Sequence, residues 1–250
     1  MRLLLVNDDG IHAEGIQRLA KELEKEYEVF IVAPDDERSA QSHALTLRKP
    51  LVVKEVKLGG IKSKAYSVSG TPADCVRIAI DKLLPEPVDM VISGINRGLN
   101  VGMDVLYSGT VSAAIEANLY NIPSIALSAQ WDNGNINYDL AVKYGKHILV
   151  KLKDRLLENN MILSINTPLV KEEQVKGIKV CKIGGVVYDY YVMEDGQIKG
   201  ESVLKADGRM RDIKEEDTDR YYISQGYVTI TPLQYNLTNF QLIDKVQDWI

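Results

Sequence analysis

Two adjacent carboxylates, Asp8 and Asp9, follow the short apolar run Leu3-Leu4-Leu5-Val6 and are flanked by Asn7 and Gly10. That run is long enough for a fully buried strand, and an amide, two acids and a glycine stop it abruptly. Ligands of open α/β sheets bind beyond the carboxyl ends of the strands, so both acids point into the usual functional crevice. Neighbouring carboxylates repel and raise one another's proton affinity unless a cation lies between them. The pair therefore reads in two ways: as part of a metal site, or as an Asx-rich turn leading into a helix.

Other oxygen-bearing residues occupy equivalent places. Ser39 closes the polar loop Asp35-Asp36-Glu37-Arg38-Ser39 after a second apolar stretch, and Asn96 lies in the Gly- and Asn-rich segment Gly94 to Asp104 after a third. Asp8, Asp9, Ser39 and Asn96 make an all-oxygen set that suits Mg²⁺, Mn²⁺ or Ca²⁺, whereas a structural zinc site asks for Cys or His. A cation held this way polarises a phosphoryl oxygen and lowers the pKa of a bound water, both useful in hydrolysing a phosphate ester. Ser108-Gly109-Thr110 opens a helix, where small polar residues either cap the end or hold a phosphate on its free N–H groups. His43 either assists a leaving group or is a structural or exposed loop histidine. Arg97 either contacts phosphate or is an ordinary surface arginine.

These residues need strands and helices to bring them together. Ile11 to Tyr27 carries Ile16, Leu19, Ala20 and Leu23 at helical spacing, and Glu28 to Ala33 is a second buried strand. Strand, helix and strand form a βαβ unit, whose parallel pairing puts both strand ends, and so Ser39 and the acids, at one edge. Leu45 to Lys57 and Ile61 to Ser69 read as an antiparallel hairpin. Thr71-Pro72-Ala73-Asp74 signals a helix start with a capping box, for a helix reaching about Leu84. Val88 to Ser93 is the third parallel strand, Val111 to Tyr120 a helix, Pro123 to Ser128 the fourth strand and Tyr138 to Leu157 another helix. Strands follow at Met161 to Asn166 and Gly177 to Ile183. Val186 to Tyr191 with Gln197 to Leu204 reads as a hairpin arm, Asp207 to Arg220 as a solvated connector, Tyr227 to Pro232 as a returning strand and Asn239 to Ile250 as a closing helix. The expectation is one domain over residues 1–250, α/β, Rossmann-like, with a mostly parallel three-layer sheet and an arm over about residues 184–225 used in oligomerisation.

Composition restricts the partners. The 250 residues carry a formal charge of -5, with 45% hydrophobic and 26% charged side chains. Without a long basic run, no stable complex with nucleic acid is expected, because that affinity rests on Lys and Arg neutralising phosphates. No apolar run approaches the roughly 20 residues of a membrane helix, and no secretion signal is read at the N-terminus. Cys75 and Cys181 lack metal-ligand spacing and suit free thiols in a reducing compartment, so a cytoplasmic protein is expected.

Five blocks carry a resemblance: Asn7-Asp8-Asp9-Gly10; Ala33-Pro34 through Arg38-Ser39-Ala40; Gly70-Thr71-Pro72-Ala73-Asp74-Cys75-Val76; Ser93-Gly94-Ile95-Asn96-Arg97-Gly98-Leu99-Asn100; and Tyr107-Ser108-Gly109-Thr110-Val111-Ser112-Ala113-Ala114. In this order they resemble the motifs of the SurE family, the survival-protein-E 5'/3'-nucleotidases, and Gly226 to Leu233 is similar to that family's last strand. The resemblance implies a metal-dependent phosphatase of nucleoside monophosphates. It implies one divalent cation per subunit, Mg²⁺ or Mn²⁺, on Asp8, Asp9, Ser39 and Asn96, with Ser108, Gly109 and Thr110 lining the phosphate pocket beside Asn96. In such a site either Asp8 or Asp9 takes the proton of an attacking water, or a carboxylate attacks directly as nucleophile. The resemblance also implies a Rossmann-like sheet whose C-terminal arm is exchanged in a homodimer or tetramer. The chain departs from the family at Ser42, where many members have glycine, and at Ala117-Asn118. Two rivals remain at this stage, an aspartyl-nucleophile phosphatase and a non-catalytic nucleotide-binding regulatory module. A dinucleotide-dependent oxidoreductase is disfavoured, since the first strand–helix turn lacks Gly-x-Gly-x-x-Gly.

Overall fold

The computed structural model describes residues 1–186, 188–194, 202–210 and 215–250. The first half contains β1 (Arg2–Val6), α1 (Glu14–Leu23), β2 (Glu28–Pro34), β3 (Val53–Val56), β4 (Lys64–Val68), α2 (Pro72–Ile78), β5 (Met90–Arg97) and α3 (Gly109–Leu119). It continues through β6 (Ser124–Ala129), the small hairpin β7 (Trp131–Asp132) and β8 (Asn135–Ile136), α4 (Tyr138–Asn159), β9 (Ile162–Thr167) and β10 (Ile178–Val180). The chain then forms β11 (Tyr188–Glu194), β12 (Val203–Met210), α5 (Asp219–Ser224), β13 (Val228–Leu233) and α6 (Ile243–Trp249).

Among the described residues the main sheet has nine strands in the order β10-β13-β9-β6-β5-β1-β2-β4-β3. The block β4-β2-β1-β5-β6-β9 is parallel throughout, while β3 and β13 join it antiparallel. Counted along the chain, the parallel block has the doubly wound order 3-2-1-4-5-6, so its connections reverse direction between β1 and β5. Side chains of β1 alternate between two cores, as a strand buried on both faces requires. Leu3 and Leu5 pack with Ile16 and Leu19 of α1 and Ile148 of α4, whereas Leu4 and Val6 pack with Val76 of α2 and Ala113 of α3. The expected three layers and mostly parallel sheet are therefore present.

Local signals explain the helix that precedes the site. Thr71 caps α2 with its side chain on the Asp74 N–H while the Asp74 carboxylate accepts from the Thr71 N–H, the reciprocal box that the sequence announced. Its last turns relax into a π-helical stretch, Ala79–Leu83.

Several boundaries differ from the sequence-based expectation. β5 does not stop at Ser93 but continues to Arg97, because Gly94, at φ +141, lets the strand pass Leu127 O, which lies 2.2 Å from where a Cβ would stand. Asn96 is thus a strand-end residue rather than a loop residue. The small hairpin at Trp131 was not foreseen; its turn uses Asn133 and Gly134, both at positive φ. The arm is an antiparallel hairpin, with Tyr188 opposite Met210 and Glu194 opposite Val203. Its second strand lies later than expected, so residues 207–210 belong to β12 instead of a solvated connector; residues 187, 197–201 and 211–214 of the expected segments lie outside the described residues. The connector also ends early, since Asp219 and Arg220 open α5 and Asp219 is buried.

Candidate active site

Asp8 and Asp9 leave β1 at the point where the sheet reverses its winding, which is where ligand crevices form in such sheets. Asn7 closes the turn, its Nδ2 donating to Gly10 O at 2.9 Å. The Asx turn and the acidic pair therefore coexist: the amide makes the bend and the carboxylates remain for other partners.

Each acid is tied to a different neighbouring segment. The Asp8 carbonyl accepts from the Arg38 N–H at 2.7 Å, which brings Ser39 alongside. Its carboxylate accepts from Thr110 Oγ1 at 2.5 Å, which attaches it to the start of α3. Asp9 accepts from the Arg97 N–H at 3.0 Å, one residue beyond Asn96. The ends of β1, β2, β5 and the N-terminus of α3 therefore meet around the acidic pair. Asn96 is buried with its Nδ2 on Gly98 O at 3.0 Å, and Ser39 Oγ donates to Glu37 at 2.9 Å.

The start of α3 is built against this cluster. Ser108 is its N-cap, accepting from the Val111 N–H at 3.0 Å. Gly109 passes so close to Asp8 that an added Cβ would lie 2.8 Å from the Asp8 Cβ. Ser108, Gly109 and Thr110 are buried, and the N-terminal N–H groups of the helix with its macrodipole suit an anion.

Electrostatics here is unfavourable without a counter-charge. Burial pushes the Asp8 carboxyl above its ordinary value, and the Thr110 bonds offset this only in part. Asp9 is raised to about 6, first by burial and then by repulsion from Asp8, with the Arg97 N–H opposing. Glu37 adds repulsion to both. Two buried oxygens nearby, Asn7 Oδ1 just past β1 and Ser93 Oγ on β5, have no hydrogen-bond partner among the described residues. Among the described residues no three His, Cys, Asp or Glu side chains cluster as a metal set, so any cation held here relies on two carboxylates completed by hydroxyl and amide oxygens. Hard oxygen donors with excess negative charge fit a divalent cation of the Mg²⁺ or Mn²⁺ kind.

Sequence inspection missed three carboxylates around this site. Glu37 bridges Ser39 Oγ and the exposed Arg97 guanidinium, the latter at 3.2 Å, so Arg97 is paired with an acid. Glu116 binds His43 at 2.6 Å and Arg77 at 2.6 Å, giving His43 the partner that it lacked in the sequence. Asp219 accepts from the N–H groups of Gly102, Gly184 and Arg220. For Glu116 a faint signal existed: a lone acid on an otherwise small and apolar helix face.

Comparison with known proteins adds an independent line. Residues 3–189 match the family model described as Survival protein SurE. A Clostridium botulinum Type A protein named 5'-nucleotidase SurE is 51% identical over 248 residues, covering 99% of this chain and 98% of that protein. A protein of the same name from Clostridium tetani is 49% identical over 249 residues, with all of both chains covered. The crystal structure of the SurE protein from Aquifex aeolicus superposes with a TM-score of 0.82 at 35% identity, covering 100% of this chain and 99% of that one.

Proposed function

The chain belongs to the SurE family of survival proteins, and from that membership together with the cluster at the reversal of the sheet we propose how its residues act. The protein is a 5'-nucleotidase that hydrolyses nucleoside monophosphates to nucleoside and phosphate, and it depends on a divalent metal. We assign the cation, one per subunit and Mg²⁺ or Mn²⁺ in kind, to Asp8, Asp9, Ser39 and Asn96. When bound, it supplies charge that polarises a phosphoryl oxygen and acidifies a water.

The protein's own groups divide the remaining work. Thr110 and Gly109 fix Asp8 in one orientation, since one carboxylate oxygen takes the Thr110 hydroxyl and the helix backbone packs on its Cβ. The start of α3, Ser108 to Thr110, receives the phosphate oxygens and stabilises their charge as the ester breaks. Asp9 is the less buried acid and stands free of the helix, so it takes the proton of the attacking water. The commitment of Asp8 to Thr110 leaves it poorly placed as a covalent nucleophile, which favours water over the aspartyl-phosphate route. The single observation that carries this assignment is the 2.5 Å bond from Thr110 to Asp8, which makes the acidic pair and the anion-binding helix end one unit.

The test is phosphate release from nucleoside monophosphates with added Mg²⁺ or Mn²⁺, without metal and after chelation. Asp8→Asn and Asp9→Asn are each expected to lower kcat by about a hundred- to a thousandfold while circular dichroism stays native, an effect of the size seen when a preorganised group is removed from an active site. Full activity in both variants would rule this site out. The protein is further proposed to act in the cytoplasm as a homo-oligomer, dimer or tetramer. Two free cysteines support the compartment, and exposed apolar side chains on the C-terminal segment support assembly. Among the described residues no helix is long and apolar enough to cross a membrane.

A further inference from the structure

The segment from Ser39 to Thr46 has no helix or strand, and two of its non-glycine residues, Ala40 and Ser42, stand at φ +57 and +53. L side chains hold that conformation only where surrounding contacts impose it. Three such contacts engage the loop's backbone: the Ser42 N–H donates to Tyr107 O at 3.0 Å, Thr71 Oγ1 donates to Ala44 O at 2.7 Å, and the Thr46 N–H donates to Asp74 at 3.1 Å. The fourth is made by a side chain. His43 Nε2 lies 2.6 Å from Glu116 Oε2, and Glu116, 1% exposed, has its other oxygen 2.6 Å from Arg77 Nε.

Glu116 sits two turns into α3, the helix whose first residues hold Asp8, and Arg77 belongs to α2. Arg77 fixes the buried carboxylate from one side, leaving its second oxygen facing the loop. A carboxylate so buried strongly favours keeping both oxygens bonded, because an unmet charged acceptor loses its full solvation. We propose that His43, held by Glu116 and behind it Arg77, is a positioning residue that fastens the Ser39 loop onto α3 and thereby sets the site's affinity for its divalent cation. The proposal rests on Ser39 being one of the cation's ligands. It assigns His43 no contact with substrate, since the bond that its ring makes is to the fold.

The experiment measures Mn²⁺ binding to the full chain without nucleotide, by the paramagnetic resonance signal of free Mn²⁺, for wild type, His43→Ala, His43→Gln, Ser39→Ala and the Ser39→Ala/His43→Ala double variant. His43→Ala is expected to weaken binding about tenfold, the effect of losing one hydrogen bond to a charged group. His43→Gln, whose amide N–H reaches towards Glu116, recovers most of that loss. In the Ser39→Ala background His43→Ala adds little, because the two residues act through one loop. Melting of the metal-free proteins shows that each variant is folded. Wild-type Mn²⁺ affinity in His43→Ala alongside weakened affinity in Ser39→Ala would overturn the fastening role alone, as would fully multiplied losses in the double variant. Wild-type affinity in Ser39→Ala would overturn the ligand assignment beneath it.

Discussion

A methyl group at Gly109 would stand 2.8 Å from the Asp8 Cβ and 3.1 Å from Pro72 Cγ, with the Asp8 carboxylate oxygen at 3.0 Å. Gly109→Ala therefore has to push the start of α3 away from Asp8, which Thr110 also holds. It is expected to cost about 1–3 kcal/mol of stability by overpacking and to lower kcat/KM about a hundredfold, as a misplacement near 1 Å does; urea unfolding and phosphate release measure the two. Glu116 makes a separate prediction. Burial raises its carboxyl, but the bonds from His43 and Arg77 outweigh burial and bring it below its ordinary value. A depressed carboxylate contributes stability that is present above the unfolded-state value and lost as pH falls through the folded one. The stability gap between wild type and Glu116→Gln, about 1–3 kcal/mol at pH 7, should accordingly shrink on acidification below the ordinary carboxylate range; a gap constant down to pH 3 would contradict the ion pair. That the segments carrying Asp8, Asp9, Ser39 and Asn96 meet on one rim was legible because parallel strands end at the same edge of the sheet. Glu37, Glu116 and Asp219 were not, because their roles lie in partners: His43 is 73 positions from Glu116, and no local pattern links them.

Between residues and the whole lies the junction of the arm with the body. Asp219, 1% exposed at the first turn of α5, accepts from the Gly102 N–H at 2.8 Å and the Gly184 N–H at 2.9 Å, while Arg220 reaches Val101 O at 3.1 Å. Gly184 lies just before β11 and Gly102 opens a 3-10 turn between Asn96 and Ser108, so one carboxylate joins the root of the arm to the segment preceding α3. Asp219→Ala leaves three backbone donors, the N–H groups of Gly102, Gly184 and Arg220, without their acceptor, each costing about 1–3 kcal/mol if buried, and loosens the segment ahead of Ser108. Lower stability in urea is expected together with a raised KM for nucleotide; an unchanged KM would show that the loop is held from elsewhere. The elements of the first half were legible from apolar runs and from caps, the Thr71 box above all. The arm was legible as a hairpin but not in the extent of its second strand, since a charged segment such as 207–210 can pair in a strand as readily as it can be solvated.

At the scale of the molecule, the β1-α1-β2 unit and the handedness of its crossover put two strand ends on one rim, and the parallel pairing of β5 with β1 added the third. What the single chain does not account for is its C-terminal segment. Past β13 the chain carries Leu237, Phe240, Ile243, Val246, Trp249 and Ile250, with Leu237 91% and Ile250 94% exposed, and among the described residues none of the three core clusters includes a residue beyond Leu233. Apolar side chains at helical spacing on α6, outside the core clusters, suit an interaction surface, and the homo-oligomer proposed above would cover it with a second copy. Because no core cluster draws on this segment, a chain ending at Gln234 should keep its sheet and its melting transition within a few degrees. Light scattering during gel filtration is expected to find the full chain as a dimer or tetramer and the shortened chain as a smaller species. A full-length chain that remains monomeric at tens of micromolar would show that these side chains are tolerated in water, and the assembly proposed above would fall with them.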